Sequence, residues 1–174
     1  MSYKIRECIK DDIYRYSLKV ETDSKSTKKL IVIQCNPSNA DANKSDATVG
    51  KVSNWAEEKG FNEVIFLNLF AFISSNPEDL KNKKYEDIVG SNNNSIIEEY
   101  IKESNITVVL AWGDMFGIQK LYEQRLKELK IILDKYNVKP SIVGGLTQDG
   151  YPRHGKMWNK GYRELSILKW SDII

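Results

Sequence analysis

The sequence predicts an α/β fold: a three-layer α/β/α sandwich around a central, mainly parallel four-stranded sheet, with N-terminal hairpin or edge strands. Two observations carry this. Four apolar runs, Leu30–Cys35, Val64–Phe70, Ile106–Trp112 and Ser141–Leu146, alternate too little for strands with a solvent face. Between consecutive runs, apolar residues recur at helical spacing. Buried strands alternating with helices imply crossover connections and a parallel sheet covered on both faces.

The elements follow in order. From Tyr14 to Val20, apolar residues alternate with Arg, Ser and Lys, which predicts a half-buried strand paired with one around Ile5–Ile9. The stretch "ETDSKSTKK" is a polar turn, after which Leu30 opens the first core strand. Asp46 is a candidate N-cap for a helix that carries Val49, Val52, Trp55 and Ala56 on one face and ends at Gly60. Val64–Phe70 is the second core strand. Ser91 or Asn92 starts the next helix, with Ile96, Ile97, Tyr100 and Ile101 inward. Ile106–Trp112 is the third strand. Ile118, Leu121, Tyr122, Leu126, Leu129, Ile132 and Leu133 mark a long amphipathic helix. Ser141–Leu146 is a short, glycine-broken fourth strand. With no repeat or linker in view, residues 1–174 form one domain: a hairpin over 1–29 and a core over 30–174.

Composition narrows the function classes. A hydrophobic fraction of 41% and a charged fraction of 29% describe an ordinary globule, and no apolar run is long enough to span a bilayer. The start, "MSYKIRECIKDD", lacks an apolar signal region, so the expected location is the cytoplasm. Cys8 and Cys35 are two and far apart, and His154 is the one histidine, so neither a thiolate nor a His-rich metal centre is suggested. A net charge of +2 is far from that of a nucleic-acid coat, although a local basic face is compatible with it.

In open parallel α/β sheets, ligands bind beyond the carboxyl ends of the strands. Each core strand here ends in a polar or glycine-bearing motif: "CNPSNAD", "NLFAFISSNP", "AWGDMFG" and "GGLTQDGYPRHGK". Those four motifs are expected to converge on one edge. Each has a plainer reading as well. Asn36-Pro37 can be a strand-ending turn. Trp112-Gly113 can be core plus tight turn, and Asp46 and Thr48 helix caps. Asn68 interrupts an apolar strand, and its amide must bond either neighbouring backbone or a ligand's polar edge. His154 sits in a turn-rich loop, where function concentrates.

The ordered set "NPSNADANKSDATV", "NLFAF" with "NPEDL", "VGSNNN", "AWGD" and "LTQDGYPRH" resembles the bacterial and phage domain of unknown function family 1643, over about Leu30 to His154. That family usually continues the last motif as His-Pro-Leu, where this chain has His154-Gly155-Lys156. A more distant resemblance is to the uracil-DNA glycosylase superfamily. It implies a glycosylase-like fold in which Asn36 positions the attacking water, Asn68 holds the base's polar edge and His154 belongs to a final loop that inserts into DNA. Pro37, Ser38, Trp112 and Gly113 then line the base site. Phe70 and Phe72 are candidates for stacking on the base.

The chemistry is coherent. Breaking an N-glycosidic bond requires donors that hold the departing base as an anion and a water aimed at the anomeric carbon. Asn36 can orient water but does not titrate near neutrality; Asp46, a candidate catalytic residue, or Asp41, a candidate ligand-binding residue, could be the general base, which would make the site a hydrolase of another substrate. A flipped base needs a wedge, for which Tyr151, Met157 or Trp158 could serve, and Arg153, Lys156 and Lys160 could meet phosphates. The expected function is therefore hydrolysis of the N-glycosidic bond of a modified or unusual base in DNA, without metal or cofactor. The alternative is a non-catalytic binder of a nucleotide, modified base or nucleotide second messenger. DNA or a nucleotide is the expected partner in both, and no membrane is.

Overall fold

The computed structural model describes residues 3–38, 47–115, 117–158 and 161–174. Among them the chain forms a seven-stranded mixed sheet and four α-helices. The strands are β1 (Tyr3–Lys10), β2 (Arg15–Thr22), β3 (Lys29–Gln34), β4 (Glu63–Asn68), β5 (Ile106–Leu110), β6 (Ser141–Val143) and β7 (Leu165–Ile167). The helices are α1 (Ala47–Glu58), α2 (Tyr85–Val89), α3 (Asn93–Ile101) and α4 (Gln119–Lys135). Among the described residues no helix is long and apolar enough to cross a membrane.

The strand order is β1-β2-β4-β3-β5-β6-β7. β3 pairs in parallel with β4 and β5, and β5 meets β6 in parallel through the single pair Val109–Ser141. β1–β2, β2–β4 and β6–β7 are antiparallel. This corrects the expectation of a mainly parallel four-stranded sheet. The cause is local. Asp11 Oδ1 accepts from the backbone N–H groups of Ile13 and Tyr14 at 2.8 and 2.7 Å, a side-chain-closed turn that folds β2 back on β1. β2 then lies beside β4 with Leu18 opposite Phe66, so it is an inner strand and not a half-exposed one. Its polar positions are buried too: Arg15 is 2% exposed, and Ser17 Oγ lies 3.2 Å from the Tyr100 hydroxyl.

Strand residues divide by parity between two cores, as burial on both faces requires. Ile31, Ile33, Ile65, Leu67, Val108 and Leu110 face α3 and α4 through Ile97, Tyr100, Leu126 and Leu129. Leu30, Val32, Val64, Phe66 and Val109 face α1 through Val49, Val52, Trp55 and Ala56. Trp158 completes the second core, fully buried with its ring centroid 4.8 Å from that of Trp55. Burying a large apolar side chain in this way stabilises by roughly 1.5–3 kcal/mol. Trp158 is thus a core residue and not a wedge available to DNA, despite its polar surroundings in sequence.

Three boundaries differ from expectation. The fourth run stops at Val143 because Gly144 and Gly145 both take φ of +75°, which ends strand geometry. A Cβ on Gly144 would stand 2.4 Å from the Tyr162 Cβ, so the close approach needs glycine. The second and third runs end their ladders at Asn68 and Leu110, and continue as single bonds from Leu69 N to Gln34 O and Ala111 N to Ile33 O, both 2.8 Å. α2 and β7 were not foreseen. The predicted cap Asp46 lies outside the described residues, and α3 begins at Asn93 after Asn92, as expected.

Candidate functional site

A cavity of about 810 Å³ opens where β3, β4 and β5 end and the loop after β6 returns. Gln34, Cys35, Asn36 and Ser38 come from the end of β3, and Ser74 and Ser75 from the loop after β4. Trp112, Gly113 and Asp114 follow β5, and Thr147, Gln148, Asp149, Arg153, His154, Lys156, Met157 and Tyr162 follow β6. Thr48 of α1 and Arg15 at the start of β2 complete the wall. Its size suits a drug- or nucleotide-sized ligand.

The loops are tied together through backbone. Asn36 Nδ2 donates to Ser74 O at 2.9 Å and to Pro37 O at 3.3 Å, and Ser74 N donates to Pro37 O at 3.0 Å. Asn36-Pro37 is therefore a strand-ending turn and a cavity wall at once. The N–H₂ group of Asn36 is thus committed to backbone carbonyls, and Oδ1 is the acceptor of its amide. The Ser74 hydroxyl donates to Asp79 Oδ2 at 2.6 Å, while Asn76 Oδ1 accepts from Glu78 N at 3.1 Å; the serine loop is so fixed to the short turn Pro77–Leu80.

His154 is seated on the Trp-Gly motif. Gly113 has φ of +77° and donates its N–H to Pro152 O at 2.9 Å. A Cβ there would stand 3.1 Å from the His154 Cβ. The imidazole Nδ1 accepts from Lys156 N at 3.1 Å, so the neutral ring carries its proton on Nε2. The same loop is pinned to Asp114, whose Oδ1 accepts from the Thr147 hydroxyl at 2.6 Å; Thr147 N in turn donates to Tyr151 O at 2.8 Å.

Charge is distributed unevenly. Arg15 is buried in the wall and donates from Nη1 to Ser38 O at 3.4 Å. Arg153 donates from Nε to Gly144 O at 2.9 Å and stacks its guanidinium 3.9 Å from the centre of the Tyr162 ring. Lys156 is exposed at the rim. Cys35 is no nucleophile: burial pushes its thiol up to about 12, and its sulfur lies 3.9 Å from that of Met115. Among the described residues no group of three or more His, Cys, Asp or Glu side chains is arranged to hold a metal ion.

The predicted residues thus separate. Asn36, Ser38, Trp112, Gly113, Arg153, His154, Lys156 and Met157 share the cavity. Asn68 does not: it is fully buried behind the wall, and its Nδ2 donates to Arg15 O at 3.4 Å. Phe70 is likewise core, edge-on to Tyr85 at 6.5 Å. Phe72 packs against Tyr14 outside the cavity, with the Lys83 ammonium 4.5 Å above its ring. Tyr151 is spent on Tyr122, 5.4 Å away edge-on, and Pro37 contributes its carbonyl to the Ser74 N–H. Asp41, Asp46 and Lys160 lie outside the described residues. The wall residues missed in the sequence are chiefly Arg15 and Gln34. Arg15 looked like the solvent side of an alternating strand. Gln34 was detectable as the polar residue that ends "KLIVIQ".

Fold and site together define an α/β domain with a polar cavity at the carboxyl edge of its parallel strands. The chain belongs to the family described as protein of unknown function (DUF1643), which it matches over residues 15–155, from the first residue of β2 to the glycine after His154. β1 and β7 lie outside that match. No curated protein and no solved structure matches the chain.

Proposed function

We propose that the cavity binds a nucleobase and that the protein hydrolyses the N-glycosidic bond of a modified or unusual base in DNA, within a fold akin to the uracil-DNA glycosylases. The observation that carries this reading is the pairing of Asn36 and His154 in one cavity, on the loops after β3 and β6. Asn36 Oδ1 accepts a hydrogen bond from a water and so turns the lone pair of the water oxygen towards the anomeric carbon. The glycosidic bond breaks with its electron pair passing to the base, and the water oxygen bonds to the sugar. His154, carrying its proton on Nε2, donates to an oxygen of the departing base; in acyl transfer such a donor is worth about 2.7–4 kcal/mol. The water's proton passes to a carboxylate, for which Asp149 at the wall and Asp41 and Asp46 are candidates. Arg153 and Lys156 at the mouth meet phosphates. An order of Asn-Pro after β3, Trp-Gly after β5 and a histidine loop after β6 supports the kinship.

A second reading is a binder that does not cleave. It is favoured by the carboxylate of Asp114, which lines the cavity but is engaged by the Thr147 hydroxyl and is thus poorly placed to take a proton from water. DNA carrying the cognate base separates the two. A glycosylase leaves alkali-labile abasic sites, formed more slowly by His154→Ala; a binder returns its ligand intact after long incubation.

A further inference from the structure

We infer that Gln34, and not Asn68, is the side chain that reads the polar edge of the ligand. This rests on the reading of the cavity as a nucleobase site and names its specificity residue. The two amides are neighbours: Gln34 and Asn68 are opposite one another where β3 and β4 end. Their environments differ. Asn68 is fully buried where β2 lies beside β4, and the Arg15 carbonyl accepts from its N–H₂ group. β3 has β4 on one side and β5 on the other, with no strand across its end, so Gln34 projects into the wall of the cavity.

Gln34 is 8% exposed, and that exposure lies on the cavity wall. Its backbone carbonyl is occupied by Leu69 N, which fixes where the side chain starts. The sealed amide is that of Asn68, whose Oδ1 is buried without a partner and out of reach of the cavity, whereas the Gln34 side chain lines the cavity, where water or a ligand can meet it. The group offers an acceptor oxygen beside two N–H donors. That pattern matches a ligand edge with a donor next to an acceptor: the lactam edge of uracil or hypoxanthine, or the amidine edge of adenine or cytosine. A carboxylate or a simple hydrocarbon cannot replace it.

The test uses the full chain and a panel of probes: uracil, hypoxanthine, adenine and cytosine, as free bases and as nucleoside 5′-monophosphates. Binding is measured by calorimetry and folding by thermal melting, for the wild type, Gln34→Met, Gln34→Glu and Asn68→Asp. Gln34→Met keeps the length and removes the hydrogen bonds. It is expected to weaken the best probe about 5- to 150-fold, as loss of a bidentate base-edge pair does, without lowering the melting temperature. Gln34→Glu is expected to change the rank order of the probes, because it keeps acceptors only. Asn68→Asp is expected to lower the melting temperature and leave affinity per folded molecule unchanged. Equal binding of the best probe by wild type and both Gln34 variants overturns this assignment and leaves the nucleobase site standing. Loss of folding in both Gln34 variants makes the residue structural and overturns the assignment too. A wild type that binds no member of the panel overturns the nucleobase reading and this inference together.

Discussion

Replacing Gly113 by alanine moves His154 without altering its chemistry. The left-handed φ of +77° at Gly113 costs a residue with a Cβ about 1–2 kcal/mol. In a chain of this length that lowers the melting temperature by roughly 2–8 °C. The added methyl would also sit 3.1 Å from the His154 Cβ, tighter than an ordinary contact, so the histidine must shift by a few tenths of an ångström. Gly60 supplies the control. Its φ is +80°, and nothing lies within 4 Å of its would-be Cβ. Gly60→Ala should therefore lose comparable stability and leave the cavity alone. His154 is the one histidine of the sequence, so its imidazole signals can be followed by NMR without assignment ambiguity. In Gly113→Ala those signals should move and base release or ligand binding should fall; in Gly60→Ala neither should change. Imidazole signals that stay at their wild-type positions in Gly113→Ala would show that His154 is not seated on the Trp-Gly motif.

Asn68→Asp places a carboxylate where an amide donates to the Arg15 carbonyl, and should cost on the order of 1–3 kcal/mol in denaturant unfolding, the penalty for a buried group left without its partner. Cys35 should resist alkylation in the native protein at pH 8, with the half-buried Cys8 labelled first by mass spectrometry. The Cys35 thiol is held at about 12, against 9.0 when unfolded. Its contribution to stability is therefore complete below about pH 9 and declines towards pH 12, at about 1.4 kcal/mol per pH unit. Comparing wild type with Cys35→Ala across that window should isolate this loss from the titration of tyrosines and lysines; parallel stability curves would count against the burial argument.

The parts of the fold that were legible are those in which one segment decides its own fate. β3, β4 and β5 announced themselves because runs such as "LIVI" and "VIFL" leave no face for water. The convergence of Asn36, Gly113 and His154 followed from the direction of those strands. What was not legible depended on which strand lies beside which. The pattern of β2 showed a strand but not that it would pair with β4 and become internal. That single pairing buries Arg15 in the cavity wall and withdraws Asn68 from it. Aromatic residues misled for a related reason. Trp158 sits in a polar, glycine-bearing stretch, yet the close packing of Gly155 on Val52 brings it against Trp55. Phe70 looked available because it ends the predicted second strand, but it is fully buried, with its N–H donating to Cys35 O.

The most direct test of the glycosylase proposal is a mass-spectrometric search for free bases released from diverse phage and bacterial DNAs during incubation with the protein. The account predicts release of one modified or unusual base by the wild type, with Asn36→Ala and His154→Ala both markedly slower although folded. Absence of any released base from every DNA, or release that persists undiminished in both variants, would contradict it.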